Sequence, residues 1–208
     1  MTGTNWSRFR VDQISLPTFL KRSLIHAELI AAVRRRAAGG ALEVGVGSGA
    51  HSAALSHLVG CIVAVDNDAR IREAARPNLD RFGRSVRLLA ADAFTLPFRS
   101  EAFGVGYSQG LMEHFTDAEI GALLQEQLRV CRSVVFSVPS DRYPRQDVGD
   151  ERLMDPPAWA RIAANAIQPN LHRVSARYYR FDPESVKYAA LAGRRLGRFS
   201  VLVSIDPR

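Results

Sequence analysis

The stretch Glu43-Val44-Gly45-Val46-Gly47-Ser48-Gly49 decides how this chain is read. It ends the apolar run Ala41 to Val44 and precedes the helix-compatible segment Ala50 to Leu58, so its glycines stand where a first strand turns into a helix. Glycine there permits a sharp backbone path and lets a ligand reach the peptide plane with no Cβ in the way. Outward from the turn, Cys61 to Val65 reads as a strand, Asp68 to Phe82 as a helix and Val86 to Ala90 as a strand. Gly104 to Tyr107, a helix over Asp117 to Val130 and Ser133 to Val138 continue the alternation. Such alternation predicts right-handed βαβ units and an α/β fold whose parallel sheet is covered on both faces.

Both ends depart from this rhythm. Pro17 to Ala38 places Phe19, Leu20, Leu24, Ile25, Leu29, Ile30 and Val33 at an approximate helical period and is closed by Gly39-Gly40, which predicts one helix before the first strand. After Pro139, the segment Ser140 to Pro157 is rich in Asp, Arg, Pro and Gly, too long for a turn, and reads as a functional loop. Asp155 to Ala166 reads as a helix with proline in its first turn. Leu171 to Tyr179 and Arg198 to Ile205 read as strands, with a helical piece near Pro183 to Leu191 between them.

A chain of 208 residues, 47% hydrophobic and 24% charged, is one globular domain with additions. No apolar run approaches the roughly 20 residues of a membrane span, and Met1 to Arg10 lacks the apolar stretch of a secretory signal, so the cytoplasm is the expected address. Cys61 and Cys131 each flank a strand-like run and read as buried thiols rather than a disulfide or metal site. The net charge of +7 invites a nucleic-acid partner, because clustered cations release counterions from phosphate. Clustering is missing, however: Lys21 and Lys187 are the only lysines, and the arginines are scattered apart from Arg34-Arg35-Arg36. That triplet closes a predicted helix and answers its dipole.

Two ligands compete for the glycine turn. Gly45-x-Gly47-x-x-Ala50 fits a relaxed dinucleotide fingerprint with Asp66 as its ribose acid. Glu43 argues for the other: a carboxylate at the mouth of the turn repels a pyrophosphate, whereas S-adenosylmethionine has no phosphate and carries an ammonium and a sulfonium. A turn with no ligand is the bland alternative. Asp66 closes the second strand, where its acceptors suit two ribose hydroxyls; the competing role is to cap the helix starting near Asp68. Asp92 follows the third strand, placed to accept from an adenine amino group while Ala93 and Phe94 flank the base.

In order and spacing, these residues resemble the class I S-adenosylmethionine-dependent methyltransferases over Ala41 to Ile205, and the segment Phe136 to Pro144, continuing through Gly149 to Leu153, resembles loops of their small-molecule and natural-product type. The resemblance implies a Rossmann-like, seven-stranded, mostly parallel sheet with helices on both faces and the last strand antiparallel. It implies that Glu43 with Gly45, Gly47 and Gly49 holds the methionine part of the cofactor, Asp66 with Asn67 the ribose hydroxyls, and Asp92 with Ala93 the adenine. Gln109 then lies near the transferable methyl group. Ser108-Gln109-Gly110-Leu111 stands where amino-group methylases of DNA carry an Asn/Asp-Pro-Pro-aromatic tetrapeptide, so that substrate class loses support. Glu113-His114 resembles part of the ligand set of metal-assisted quinone O-methyltransferases, but Gly110 replaces the further acid, and the expectation is a metal-free site.

The expected organisation is an N-terminal helical extension over 1–40 and a methyltransferase domain over 41–208, with a substrate loop and helix inserted at 140–170. The expected reaction is methyl transfer to oxygen or nitrogen of a small-molecule acceptor. His114, Tyr143 and Glu113 are its candidate proton acceptors. Tyr143, Asp150, Arg152 and Trp159, together with Glu151, are its candidate substrate contacts. The alternatives are an RNA or protein methyltransferase and a non-catalytic cofactor-binding subunit.

Overall fold

In the computed structural model, residues 11–143, 150–179 and 199–208 are described. The strands are β1 Ala41–Val44, β2 Ile62–Asp66, β3 Val86–Ala90, β4 Phe103–Gln109, β5 Cys131–Pro139, β6 His172–Tyr179 and β7 Ser200–Pro207. They form one sheet in the order β3-β2-β1-β4-β5-β7-β6. The pairs β3-β2, β2-β1, β1-β4 and β4-β5 are parallel, and β7 runs antiparallel to both β5 and β6. The expected Rossmann-like architecture with a reversed last strand is therefore present. Every residue of β1 is buried, as a strand covered on both faces requires.

The helices are α1 Leu16–Ile25, α2 Ala27–Arg34, α3 Ala50–Leu55, α4 Ala69–Phe82, α5 Asp117–Val130 and α6 Pro156–Ala166. Local chemistry sets their starts. Asp68 caps α4 by accepting from the Arg70 N–H, and Thr116 and Glu119 form a reciprocal capping box on α5. Asp155 caps α6 with Pro156 at its first position, so Asp155-Pro156-Pro157 is a helix start. On one face of the sheet α5 and α6 bury Ile120, Leu123, Leu124, Trp159 and Ile162 against Phe136, Val201 and Val203. On the other, Leu29, Ile30 and Val33 of α2 share a core with Ile62, Tyr107 and Leu202. The segment preceding β1 is thus packed into the same core as the sheet. Among the described residues no helix is long and apolar enough to cross a membrane.

Three expectations change. The single helix over Pro17 to Ala38 is two helices, broken at His26 (φ −104°, ψ 17°). The buried His26 ring holds Nδ1 2.9 Å from the Tyr179 hydroxyl, a tertiary bond that apolar periodicity does not reveal. Arg36 does give one bond to the Ala32 carbonyl, but its guanidinium forks onto Asp206 at 2.5 and 2.6 Å, tying the end of α2 to β7. Cys131 is buried as expected, whereas Cys61, just ahead of β2 at the amino edge of the sheet, is exposed. The helical piece expected near Pro183 to Leu191, Arg198, and the part of the Ser140 to Pro157 loop at 144–149 lie outside the described residues.

Candidate active site

Because β1 lies between β2 and β4, the chain leaves its carboxyl end at the point where the strand order reverses, the place where open α/β sheets form a crevice. The glycine turn occupies this point. Gly49 has φ 75°, and a Cβ added there would meet Leu79 of α4 at 2.9 Å, so this glycine lets α3 pack against α4. Gly47, at φ 49°, would meet nothing within 4 Å, because its missing Cβ faces open space. Two cavities, of about 260 and 410 Å³, meet there and share Gly45, Gly47, Gln109 and Gly110 as walls.

The smaller cavity suits a nucleoside. Asp66 and Asn67 line one side, and Asp92, Ala93, Phe94, Leu111 and Phe115 the other. Asp66 Oδ1 accepts the Asp68 N–H at 3.0 Å, and burial raises its pKa above the ordinary carboxylate value. The helix cap is Asp68, so Asp66 keeps further acceptor positions for hydroxyl groups. Asp92 Oδ1 accepts the Phe94 N–H at 2.9 Å, and the Phe94 ring stands edge-on to Phe115, with centroids 5.7 Å apart. Together they make an apolar slot with one acid at its rim.

The larger cavity is polar at its base. Glu43, 1% exposed, accepts from the Ser52 hydroxyl, which lies 2.9 Å from the Tyr107 hydroxyl. His51 Nδ1 is 3.8 Å from the other Glu43 oxygen. Burial pushes the Glu43 pKa up to about 8. The wall continues through Arg22, His26, His51, Glu113, His114, Tyr143 and Glu151. Met112–His114 is a single 3₁₀ turn that sinks Met112 into the core and turns His114 toward the cavity. His114 Nδ1 lies 2.7 Å from Asp150 Oδ1, and the Arg152 N–H donates to the Glu113 carbonyl at 3.0 Å, so residues 150–152 are tied to that turn. Ligand atoms of His114, Asp150 and Glu151 lie within 4.8 Å of one another.

The structure brings Glu43, Gly45, Gly47, Asp66, Asn67, Asp92, Ala93 and Gln109 onto the two cavities, and Glu113, His114 and Tyr143 onto the larger one. Glu151 lines the larger cavity too, whereas Trp159, Arg152 and Asp150 are not among its walls. Trp159 is fully buried beneath α6 with its ring edge-on to Phe136, because an aromatic on the inner face of a short helix is core before it is surface. Arg152 reaches the Phe115 carbonyl at 2.9 Å and Asp117 at 2.6 Å, bracing the loop from behind. Asp150 partners His114. Sequence reasoning missed Arg22, His26 and His51 as cavity residues. Arg22 and His51 sit on helices α1 and α3 and His26 at the break between α1 and α2, and only their polarity there marked them.

Residues 41–133, which carry the glycine turn, Asp66 and Asp92, match the model of a methyltransferase domain. Solved structures share the fold. A protein from Pyrococcus horikoshii is 15% identical with a TM-score of 0.71, the match covering 100% of both chains. A SAM-dependent methyltransferase from Aquifex aeolicus is 16% identical with a TM-score of 0.65, over 93% of this chain and 98% of that one. Magnesium protoporphyrin IX methyltransferase from Synechocystis, solved with bound SAM, is 12% identical with a TM-score of 0.60, over 97% and 89%. No curated protein matches the chain. The matched stretch, a little under half of the chain, resembles a methyltransferase domain, and the sheet order and paired cavities agree with the fold shared by these solved structures. The buried Glu43 carboxyl and the open face of Gly47 fit a ligand whose amino-acid end is cationic and unphosphorylated, as that of S-adenosylmethionine is.

Proposed function

We propose that the protein, acting in the cytoplasm, methylates an oxygen or nitrogen atom of a small-molecule acceptor without a metal ion. The larger cavity carries this reading: about 410 Å³ of partly enclosed, polar-walled space beside Gln109 and Gly110 is the size of a metabolite site. S-adenosylmethionine supplies a methyl group on a sulfonium, which leaves as a neutral thioether when the acceptor lone pair takes the methyl carbon. Glu43 and the glycine turn hold the amino-acid end, Asp66 and Asn67 the ribose, and Asp92 and Ala93 the adenine edge. His114 donates Nδ1–H to Asp150, which places the basic lone pair on Nε2, and it accepts the proton released by an acceptor O–H or N–H. Tyr143 and Glu113 border the same space and orient the acceptor. The protein's main contribution is alignment and exclusion of water.

The test is incubation with S-adenosylmethionine and a panel of small amines, phenols and carboxylates, reading S-adenosylhomocysteine by mass spectrometry with and without a chelator. Turnover of a small acceptor that survives chelation supports the reading. Loss of turnover on chelation, restored by a divalent cation, assigns His114, Asp150 and Glu151 to a metal and refutes the metal-free part. Turnover with RNA or protein alone, with steep salt dependence for RNA, replaces the acceptor class. Cofactor binding without turnover of any acceptor identifies a non-catalytic subunit.

A further inference from the structure

Arg22 lies in the last turn of α1, before the residues that match the methyltransferase domain model. Its guanidinium is nevertheless part of the cavity wall and, histidines aside, is the only cationic side chain among the described residues lining the larger cavity. Nη1 donates to the Ser48 hydroxyl at 2.7 Å, which fixes the group directly over the Gly47-Ser48-Gly49 turn. Among the described residues no carboxylate forms an ion pair with it. Arg36, which is also partly buried, instead forks onto Asp206. A half-buried guanidinium with five fixed donors and one hydroxyl partner forfeits hydration without an ionic return, so the site has an unmet demand for an anion.

The anion's place is defined by what faces it. Glu43 stands in the same cavity wall, at the strand end of the same turn. The two side chains therefore border one small region, one offering a carboxyl group and the other a guanidinium. An α-amino acid end, with an ammonium and a carboxylate on one carbon, complements both at once. A carboxylate is also the planar acceptor that the guanidinium fork matches bidentately.

We propose that Arg22 binds the α-carboxylate of S-adenosylmethionine while Glu43 takes its ammonium, so that α1 is a working part of the cofactor site. The inference rests on the cofactor assignment and adds to it a residue from outside the matched domain. The helix is held where this requires, through the Ser48 bond and through the Phe19 ring stacked on Phe82 of α4 at 4.7 Å. Loss of the guanidinium then weakens every ligand that carries the amino-acid end and leaves ligands without it untouched.

The test is calorimetric titration of wild-type protein, Arg22→Met and Arg22→Lys with S-adenosylhomocysteine and with 5′-methylthioadenosine. Both are thioethers, and the second lacks the amino-acid end. The expected result is a roughly ten- to hundredfold loss for S-adenosylhomocysteine in Arg22→Met, a smaller loss in Arg22→Lys, and no change for methylthioadenosine in either. Equal losses for both ligands overturn the proposal, because Arg22 then acts by holding the turn. Unchanged affinity for S-adenosylhomocysteine in Arg22→Met overturns it as well. Should Arg22→Met fail to fold, Arg22→Lys alone decides by the same comparison between the two ligands. Failure of the wild-type protein to bind either nucleoside removes the cofactor assignment and the proposal with it, a result distinct from both.

Discussion

If Glu43 holds the ammonium of the cofactor as proposed, cofactor affinity depends on pH in a way that can be worked out from its surroundings. In the cofactor-free protein, burial holds its carboxyl at a pKa of about 8, so near neutrality the group is mostly protonated. An ammonium placed beside it favours the carboxylate, and binding therefore expels a proton. The free protein binds more protons than the complex, so affinity rises with pH below about 8. While the carboxyl is protonated in the free protein and ionised in the complex, the dissociation constant falls tenfold per pH unit, about 1.4 kcal/mol. Titration calorimetry between about pH 6 and 7.5, in two buffers of different ionisation enthalpy, reads both the slope and the released proton. Glu43→Gln keeps the shape and cannot ionise, so its affinity is expected to be weaker at pH 7.5 and flat across the range. A flat wild-type profile, or the same slope in Glu43→Gln, refutes the assignment of Glu43 to the ammonium.

The same group affects folding. The folded chain keeps the Glu43 proton where the unfolded chain has lost it, so apo stability falls as pH rises from about 4.5 to about 8, by a total of roughly 5 kcal/mol. Denaturant melts of wild type and Glu43→Gln across that window check this, and the variant should lack that component. Asp66→Asn should weaken S-adenosylhomocysteine and methylthioadenosine alike, by about 1 to 3 kcal/mol, because both carry the ribose; competition titration reads this. Trp159→Ala should cost about 3 to 5 kcal/mol in a denaturant melt while leaving acceptor KM unchanged in the surviving fold, since its ring is buried against Phe136.

What was legible in the sequence follows from the range of the interaction involved. The alternating strands and helices, the glycine turn, and acids at successive strand ends are local patterns, and they located the sheet and the nucleoside cavity. Helix α5 runs over Asp117–Val130 as its pattern predicts, because a capping box and an apolar stripe both lie within it. The break at His26 was invisible, since no glycine or proline marks it and the His26 ring bonds to Tyr179, 153 residues away in sequence. The Arg36 clamp on Asp206 and the His114 pair with Asp150 are likewise set by the fold. Trp159 was misread because an aromatic residue beside a polar loop looks the same in sequence whether it faces a ligand or the core. Arg22 had no mark among so many arginines until the turn came to lie beneath it.

The wall shared by the two cavities divides the molecule's tolerance to change. Gly45, Gly47, Gln109 and Gly110 border both spaces, so with the proposed occupants a substitution at any of them is expected to alter cofactor affinity and acceptor selectivity together. Asp66 and Asp92 border only the nucleoside side, and Tyr143 and Glu151 only the other. A lineage, or an engineer, can therefore recut the far chamber for a new acceptor while the nucleoside grip stays intact, and that freedom ends at the four shared positions and at Arg22 and Glu43, which line the far chamber but are assigned to the cofactor's amino-acid end.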